Sequence, residues 1–146
     1  YTVVPASDML AFGITGIGNL RHRYVQNEKK LSRYYEVLED GELPTMRGYE
    51  LDFDDRVRAH TIHELMCNFV VHKDEVETEF DIDFDDYFSD ALEYCQPLIE
   101  DGLVENDPDA VRVTPMGRNF IRNICMKFDA YLDEEQKEEQ VFSKTV

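Results

Sequence analysis

Apolar residues along this chain recur mostly at steps of three and four, the spacing of helices that bury one stripe. Tyr1–Val4 is short, apolar and β-branched and reads as a strand running into Pro5. Met9–Gly18 follows, apolar and dotted with three glycines, as a tight strand and turn. The spacing then predicts a helix over Glu28–Asp40, with Leu31, Tyr34, Tyr35 and Leu38 on one face, Asn27 as its cap and Gly41 as its stop. Gly41–Thr45 is a loop and the expected boundary between an N-terminal appendage and a C-terminal unit. Asp54 is the expected cap of the next helix, which runs to Asn68 with Ile62, Leu65, Met66 and Phe69 buried. Glu75–Phe80 suits a short acidic helix.

Beyond Asp83 the positions Phe84, Tyr87, Phe88, Ala91, Leu92, Cys95, Leu98 and Ile99 predict one amphipathic helix, bent or split at Pro97 and ended by Asp101-Gly102. Leu103–Thr114 reads as a hairpin, its turn carried by Asn106-Asp107-Pro108-Asp109. Thr114 and Pro115 then open a core helix whose stripe is Phe120, Ile121, Ile124, Phe128, Tyr131 and Leu132. The run Asp133–Glu139 is a solvated helix end or a disordered tail. The expected class is mainly α with a small β-hairpin (α+β), and helix, hairpin, long helix is a winged-helix-like outline.

That outline invites a DNA-binding reading, which composition opposes. Lys and Arg total 15 against 32 Asp and Glu, a formal charge of −17 in 146 residues. Such a chain repels phosphate backbones and anionic membranes, and its helices carry Asp83, Asp85, Asp86, Asp90 and Glu93 where a DNA reader displays cations. No apolar run approaches the ~20 residues of a membrane span. Cys67, Cys95 and Cys125 are odd in number and far apart, which suits helix packing in a reducing cytoplasm better than disulfides. An opening on Tyr1 without methionine reads as part of a longer chain.

Three groups carry candidate chemistry. Arg21, His22 and Arg23 concentrate positive charge in an acidic protein, as a carboxylate-binding group or as a solvated loop paired with acids. His60, His63, Glu64 and Cys67 gather on one side of their helix; they are zinc-ligand types, but one helix cannot wrap four ligands around an ion, and a polar or second packing face is preferred. Arg118 and Arg122 stand one turn apart, to pair with acidic neighbours or an anionic ligand.

A series of short motifs is more specific. Tyr1-Thr2, Gly13-Ile14-Thr15-Gly16-Ile17, Tyr24-x-Gln26-Asn27, Tyr34-Tyr35, Arg47-Gly48, Cys67-Asn68-Phe69, Asp86-Tyr87-Phe88, Asp101-Gly102-Leu103-Val104, Val113-Thr114-x-x-Gly117-Arg118 and Arg122-Asn123-Ile124-Cys125-Met126 follow one another in one order. In that order the chain resembles the C-terminal portion of the oxygen-independent coproporphyrinogen III oxidases, radical S-adenosylmethionine (SAM) enzymes of anaerobic heme biosynthesis. The resemblance implies that residues 1–41 are the end of the radical SAM barrel with a connecting helix. Residues 42–146 are then the helical C-terminal domain covering the active site. The implied reaction converts two propionates of coproporphyrinogen III to vinyls, giving protoporphyrinogen IX.

The family's four-iron four-sulfur cluster needs a CxxxCxxC-type loop, and this chain has none, so it is expected to be inactive alone and to hold neither cluster nor SAM by itself. Ile17 matches a position lying against SAM in the family, with Gly16 beside it. Arg21 and Arg23 are assigned to substrate carboxylates on the local charge argument. Implied partners are the N-terminal barrel of the same protein, coproporphyrinogen III and an unidentified electron acceptor, without nucleic acid or membrane, in the cytoplasm. The alternative is a stand-alone porphyrin- or protein-binding module without catalysis.

Overall fold

The computed structural model describes residues 8–132, which fall into two compact units dividing between Arg56 and Val57. The strand expected at Tyr1–Val4 and the charged run Asp133–Glu139 lie outside the described residues.

The first unit is an antiparallel sheet of four strands in chain order, β1 (Asp8–Met9), β2 (Ile17–Leu20), β3 (Arg23–Asn27) and β4 (Thr45–Glu50), with helix α1 (Leu31–Glu39) between the last two. The strands β3 and β4 are absent from the sequence reading. Their pairing runs from Arg23 opposite Glu50 to Gln26 opposite Arg47, then shifts register at Asn27. Because Thr45–Glu50 is hydrogen-bonded to β3, it belongs to this unit, and the compact boundary falls about one strand later than the Gly41–Thr45 loop.

Asn27 does not cap α1. Its side-chain amide donates instead to the carbonyls of Ala11 and Gly13, both at 3.0 Å, and the helix starts after Lys30 with no side-chain cap. At the other end Gly41 is at φ +77°, donating to Leu38 O while Glu42 N–H reaches Val37 O, the paired closure that a left-handed residue after a helix provides. The expected apolar face of α1 is largely exposed at Leu31, Tyr35 and Leu38, and the helix turns Val37 inward.

The second unit opens with α2 (Phe53–Asn68), whose first residues begin in the preceding unit. Asp52 rather than Asp54 caps it: Asp52 Oδ1 accepts from Asp55 N–H at 2.9 Å and Asp55 Oδ2 accepts from Asp52 N–H at 3.1 Å, a reciprocal box. Val57, Thr61 and Leu65 are its fully buried residues, with Ile62, Met66 and Phe69 packed around them. After it Phe69 takes φ +61°, rare for an aromatic residue, and its carbonyl accepts from Val113 N–H while Arg118 lies 4.5 Å over its ring. Arg118 thus stacks on an aromatic face, and among the described residues it pairs with no acid.

A strand that spacing does not announce, β5 (Val70–His72), joins the expected hairpin of β6 (Val104–Asn106) and β7 (Ala110–Val113) in the order β5-β7-β6. In the hairpin turn Asp107 accepts from the N–H groups of Asp109 and Ala110 and pairs with Arg112, and the Asp109 amide chiefly holds its carboxyl below the usual range.

The acidic helix α3 (Lys73–Phe80) is as expected, but the helix after Asp83 is two, α4 (Phe84–Tyr87) and α5 (Ser89–Glu100). The break is at Phe88, not Pro97, which sits inside α5. Phe84, Phe88, Ala91, Cys95 and Leu98 stay in one apolar register across the kink, so periodicity reads the pair as one helix. Phe88 is the centre of the core, with ring centroids 4.8 Å from Phe84, 5.1 Å from Tyr87 and 5.4 Å from Phe128. Gly102 ends α5 as expected, at φ +69°, with Leu103 N–H returning to Leu98 O.

Thr114 does open the last helical segment: its hydroxyl accepts from Gly117 N–H at 3.1 Å and donates to Gly102 O at 2.9 Å. The long helix expected beyond it is a 3₁₀ turn (Gly117–Phe120) followed by a short α6 (Ile121–Met126). Its end tightens into i to i−3 bonds at Lys127, Phe128 and Asp129. Ile124, Cys125 and Phe128 are buried as read, whereas Tyr131 is exposed.

Candidate functional site

The residues assigned to cofactor and substrate all lie in the first unit, on or beside the four-stranded sheet. Gly16 and Ile17 follow a loop of residues 10–16 that is tied down at several points. Besides the two Asn27 bonds, Gly13 N–H donates to the Tyr34 hydroxyl at 3.0 Å, Thr15 N–H to Glu28 O at 3.0 Å, and Asn27 N–H to Gly16 O at 2.9 Å. Asn27 is buried, so its amide is a structural clamp on the loop.

Space is limited there. A Cβ on Gly16 would stand 3.1 Å from Ala11 Cβ, and one on Gly18 would stand 2.9 Å from Met9 O and 3.1 Å from Val25 Cγ2. Glycine at these positions lets β1 and its loop lie close against β2. Ile17, at the strand's start, is 52% exposed.

Directly paired residues share a face of a sheet and successive residues alternate. The registers place Asp8, Leu20, Arg23 and Glu50 on one face, together with Gly18, Val25 and Gly48. Met9, Ile17, Asn19, Tyr24, Gln26, Arg47 and Tyr49 take the other. Gly16 and Ile17 are therefore adjacent, but Ile17 and Arg23 lie on opposite faces.

Arg23 is engaged with Glu50 at 2.9 Å, both side chains well exposed. Arg21 occupies the β2–β3 turn at φ +53°, its N–H donating to Asp8 Oδ1 at 2.9 Å. Both arginines line an open depression with Asp8, Leu20, His22 and Glu50, where two carboxylates offset much of their charge.

The histidines of α2 do not converge. His60 Nδ1 lies 3.4 Å from Glu79 and its ring meets Phe80 edge-on, whereas His63 lies 3.5 Å from Glu64 and 3.6 Å from Cys67 Sγ. Among the described residues no group of three or more His, Cys, Asp or Glu is placed to hold a metal ion. Cys95 and Cys125 are buried, and burial pushes both thiols up to about 12. A buried pair on separate helices and a third thiol against a histidine do not make a cluster-binding loop. Among the described residues no helix is long and apolar enough to cross a membrane.

The sequence reading passed over the contact that organises the Ile17 face: Arg47 Nε donates to Gln26 Oε1 at 2.8 Å across β3 and β4. The available signal was the alternation of Tyr24 with Gln26 and of Arg47 with Tyr49, two short amphipathic strands whose glycine and charges masked them.

Residues 51–120 match the family model of the HemN C-terminal domain. The entire chain is 42% identical to an oxygen-independent coproporphyrinogen III oxidase of Synechocystis and 38% identical to one of Escherichia coli, covering 32% of each relative. A third, from Thermostichus vulcanus, is 40% identical and is covered over 45% of its length. Among solved structures, a coproporphyrinogen III oxidase (HemN) from Escherichia coli, described as a radical SAM enzyme, aligns with a TM-score of 0.84 at 39% identity over 90% of this chain and 30% of that one. The chain thus spans about a third of the length of the first two curated relatives, and the resemblance read from its motifs extends along all of it.

Proposed function

From the HemN C-terminal domain match over residues 51–120 and the whole-chain likeness to oxygen-independent coproporphyrinogen III oxidases, we propose that this chain is the active-site cover of such an enzyme. The parent reaction is the oxidative decarboxylation of two propionates of coproporphyrinogen III to vinyl groups. The observation that carries this reading is the alignment with the solved radical SAM enzyme, close in backbone and in sequence over 90% of the chain.

In this reading the cluster and SAM, when bound elsewhere in the complete protein, supply the radical that starts each decarboxylation. This chain contributes shape and exclusion. The Asn27 clamp and the hydroxyl of Tyr34 fix the loop that delivers Ile17, whose exposed side chain, with the bare backbone of Gly16, would border bound SAM. The unit that begins at Val57 is the cover domain and the unit that ends at Arg56 the closing part of the barrel. None of the three cysteines serves as a cluster ligand, and the chain alone does not turn over.

The test uses the complete gene product, assayed anaerobically with coproporphyrinogen III, SAM, a reductant to prime the cluster and an added electron acceptor for the electron released with each CO2, with porphyrins separated chromatographically. Protoporphyrinogen IX is expected, and deletion of this chain's region should abolish it while iron-sulfur absorbance persists. A complete protein that binds coproporphyrinogen without decarboxylating it would replace this reading with that of a porphyrin-binding module.

A further inference from the structure

The face of the sheet that presents Ile17 differs in charge from its reverse. Both acids of the four strands, Asp8 and Glu50, lie on the Arg23 face. The Ile17 face carries one cation, Arg47, and no acid, among the apolar and aromatic side chains of Met9, Tyr24 and Tyr49. Every residue of β4 is exposed, and Met9, Ile17 and Tyr49 are each about half exposed.

Arg47 is also oriented. Its Nε is held by Gln26 Oε1 at 2.8 Å, which leaves the two terminal nitrogens, the paired donors that a carboxylate fits. Among the described residues no carboxylate forms an ion pair with it, in contrast to Arg23 with Glu50. A chain of charge −17 repels a polycarboxylate, so a cation free of local acids is where one can be accepted.

We propose that Arg47, positioned by Gln26, binds a propionate carboxylate of the tetrapyrrole, while Ile17, Tyr24 and Tyr49 lie against its apolar ring edge. The inference rests on the reading that this chain helps hold coproporphyrinogen, and it moves the carboxylate contact from Arg21 and Arg23 to the opposite face. Gln26 is a positioning residue and acts through Arg47.

The experiment titrates the 146-residue chain with coproporphyrin III, the stable aromatic tetracarboxylate, and with its uncharged tetramethyl ester, following porphyrin fluorescence. Arg47→Gln should weaken coproporphyrin III binding roughly ten- to a hundredfold, the worth of a charged hydrogen-bonded pair, and leave the ester unchanged. Gln26→Leu should give a smaller loss in the same direction, and Arg23→Gln a change under about threefold. All three side chains are at least partly exposed, so melting curves matching the parent are expected. Unchanged affinity in Arg47→Gln, an equal loss in Arg23→Gln, or no porphyrin binding by the parent chain would each overturn the assignment.

Failure of the underlying reading looks different. A complete protein that turns over coproporphyrinogen with the same KM in Arg47→Gln removes this inference alone. One that never turns over, while the chain binds porphyrin through Arg47, loses the enzyme reading and retains the carboxylate site.

Discussion

Replacing Gly117 with alanine separates helix propensity from packing, because the two predict opposite signs. Gly117 opens the 3₁₀ turn after Thr114 and its φ is not in the left-handed region, so by propensity alone alanine should stabilise by roughly 0.5–1 kcal/mol. The structure forbids it. A Cβ there would collide with the backbone carbonyl oxygen of Leu103 and stand 2.9 Å from Leu103 C and 3.1 Å from Val113 Cγ1. The obstacle is backbone, and Leu103 O already accepts the N–H of Thr114 at 3.0 Å, so it cannot swing aside without breaking that bond.

The carbonyl must retreat by about 1 Å, and overpacking of this kind costs about 1–3 kcal/mol, to which a strained backbone hydrogen bond adds about 1 kcal/mol. Set against the propensity gain, the expected net destabilisation is about 1–3.5 kcal/mol, with a fall in Tm on the order of 10 °C for a unit of this size. Urea unfolding of the chain followed by far-UV circular dichroism measures it, with Asn119→Ala, an exposed site in the same turn, as the control expected within about 0.5 kcal/mol. A Gly117→Ala chain as stable as the parent, or more so, would refute the argument that Leu103 O sets the residue at 117.

The buried ammonium of Lys73, 5% exposed and 2.6 Å from Asp85, should tolerate loss of its own charge better than loss of its partner. Lys73→Met keeps the stem over Phe84 and should stay within about 1 kcal/mol, while Asp85→Ala strands the charge and should cost roughly 1–3 kcal/mol, moderated because Asp85 is 57% exposed; urea midpoints in the reverse order would contradict this. Brief alkylation of the native chain at pH 8, mapped by mass spectrometry, should label Cys67 alone, because burial holds Cys95 and Cys125 at about 12 and closes them to reagent; equal labelling of all three would contradict the core described here.

Spacing in the sequence sufficed for whatever is local and periodic. Gly41 and Gly102 stop their helices, Thr114 opens its segment, and Leu65, Phe84, Phe88, Cys95, Leu98, Ile124 and Phe128 are in the core where a 3.6-residue period puts them. Because hydrogen bonds of a helix close within a few residues, its stripe and its ends are written in its own segment. The motif order that carried the family resemblance is linear too.

What the tertiary structure decided depends on partners far along the chain. The strands β3, β4 and β5 exist because of neighbours that hydrogen-bond to them, and each is too short and too mixed in polarity to announce itself. Asn27 looked like a helix cap until the loop at Ala11 and Gly13 claimed its amide, and Arg118 looked like half of an ion pair until Phe69, held at φ +61° by the sheet, offered a ring. The breaks at Phe88 and Phe120 leave the apolar period intact and so were silent in it. Above all, which side chains share a face of the first sheet follows from strand register. That register, rather than nearness in sequence, separates Arg23 from Ile17 and sets Arg47 on the face of Ile17, with Gln26 between them.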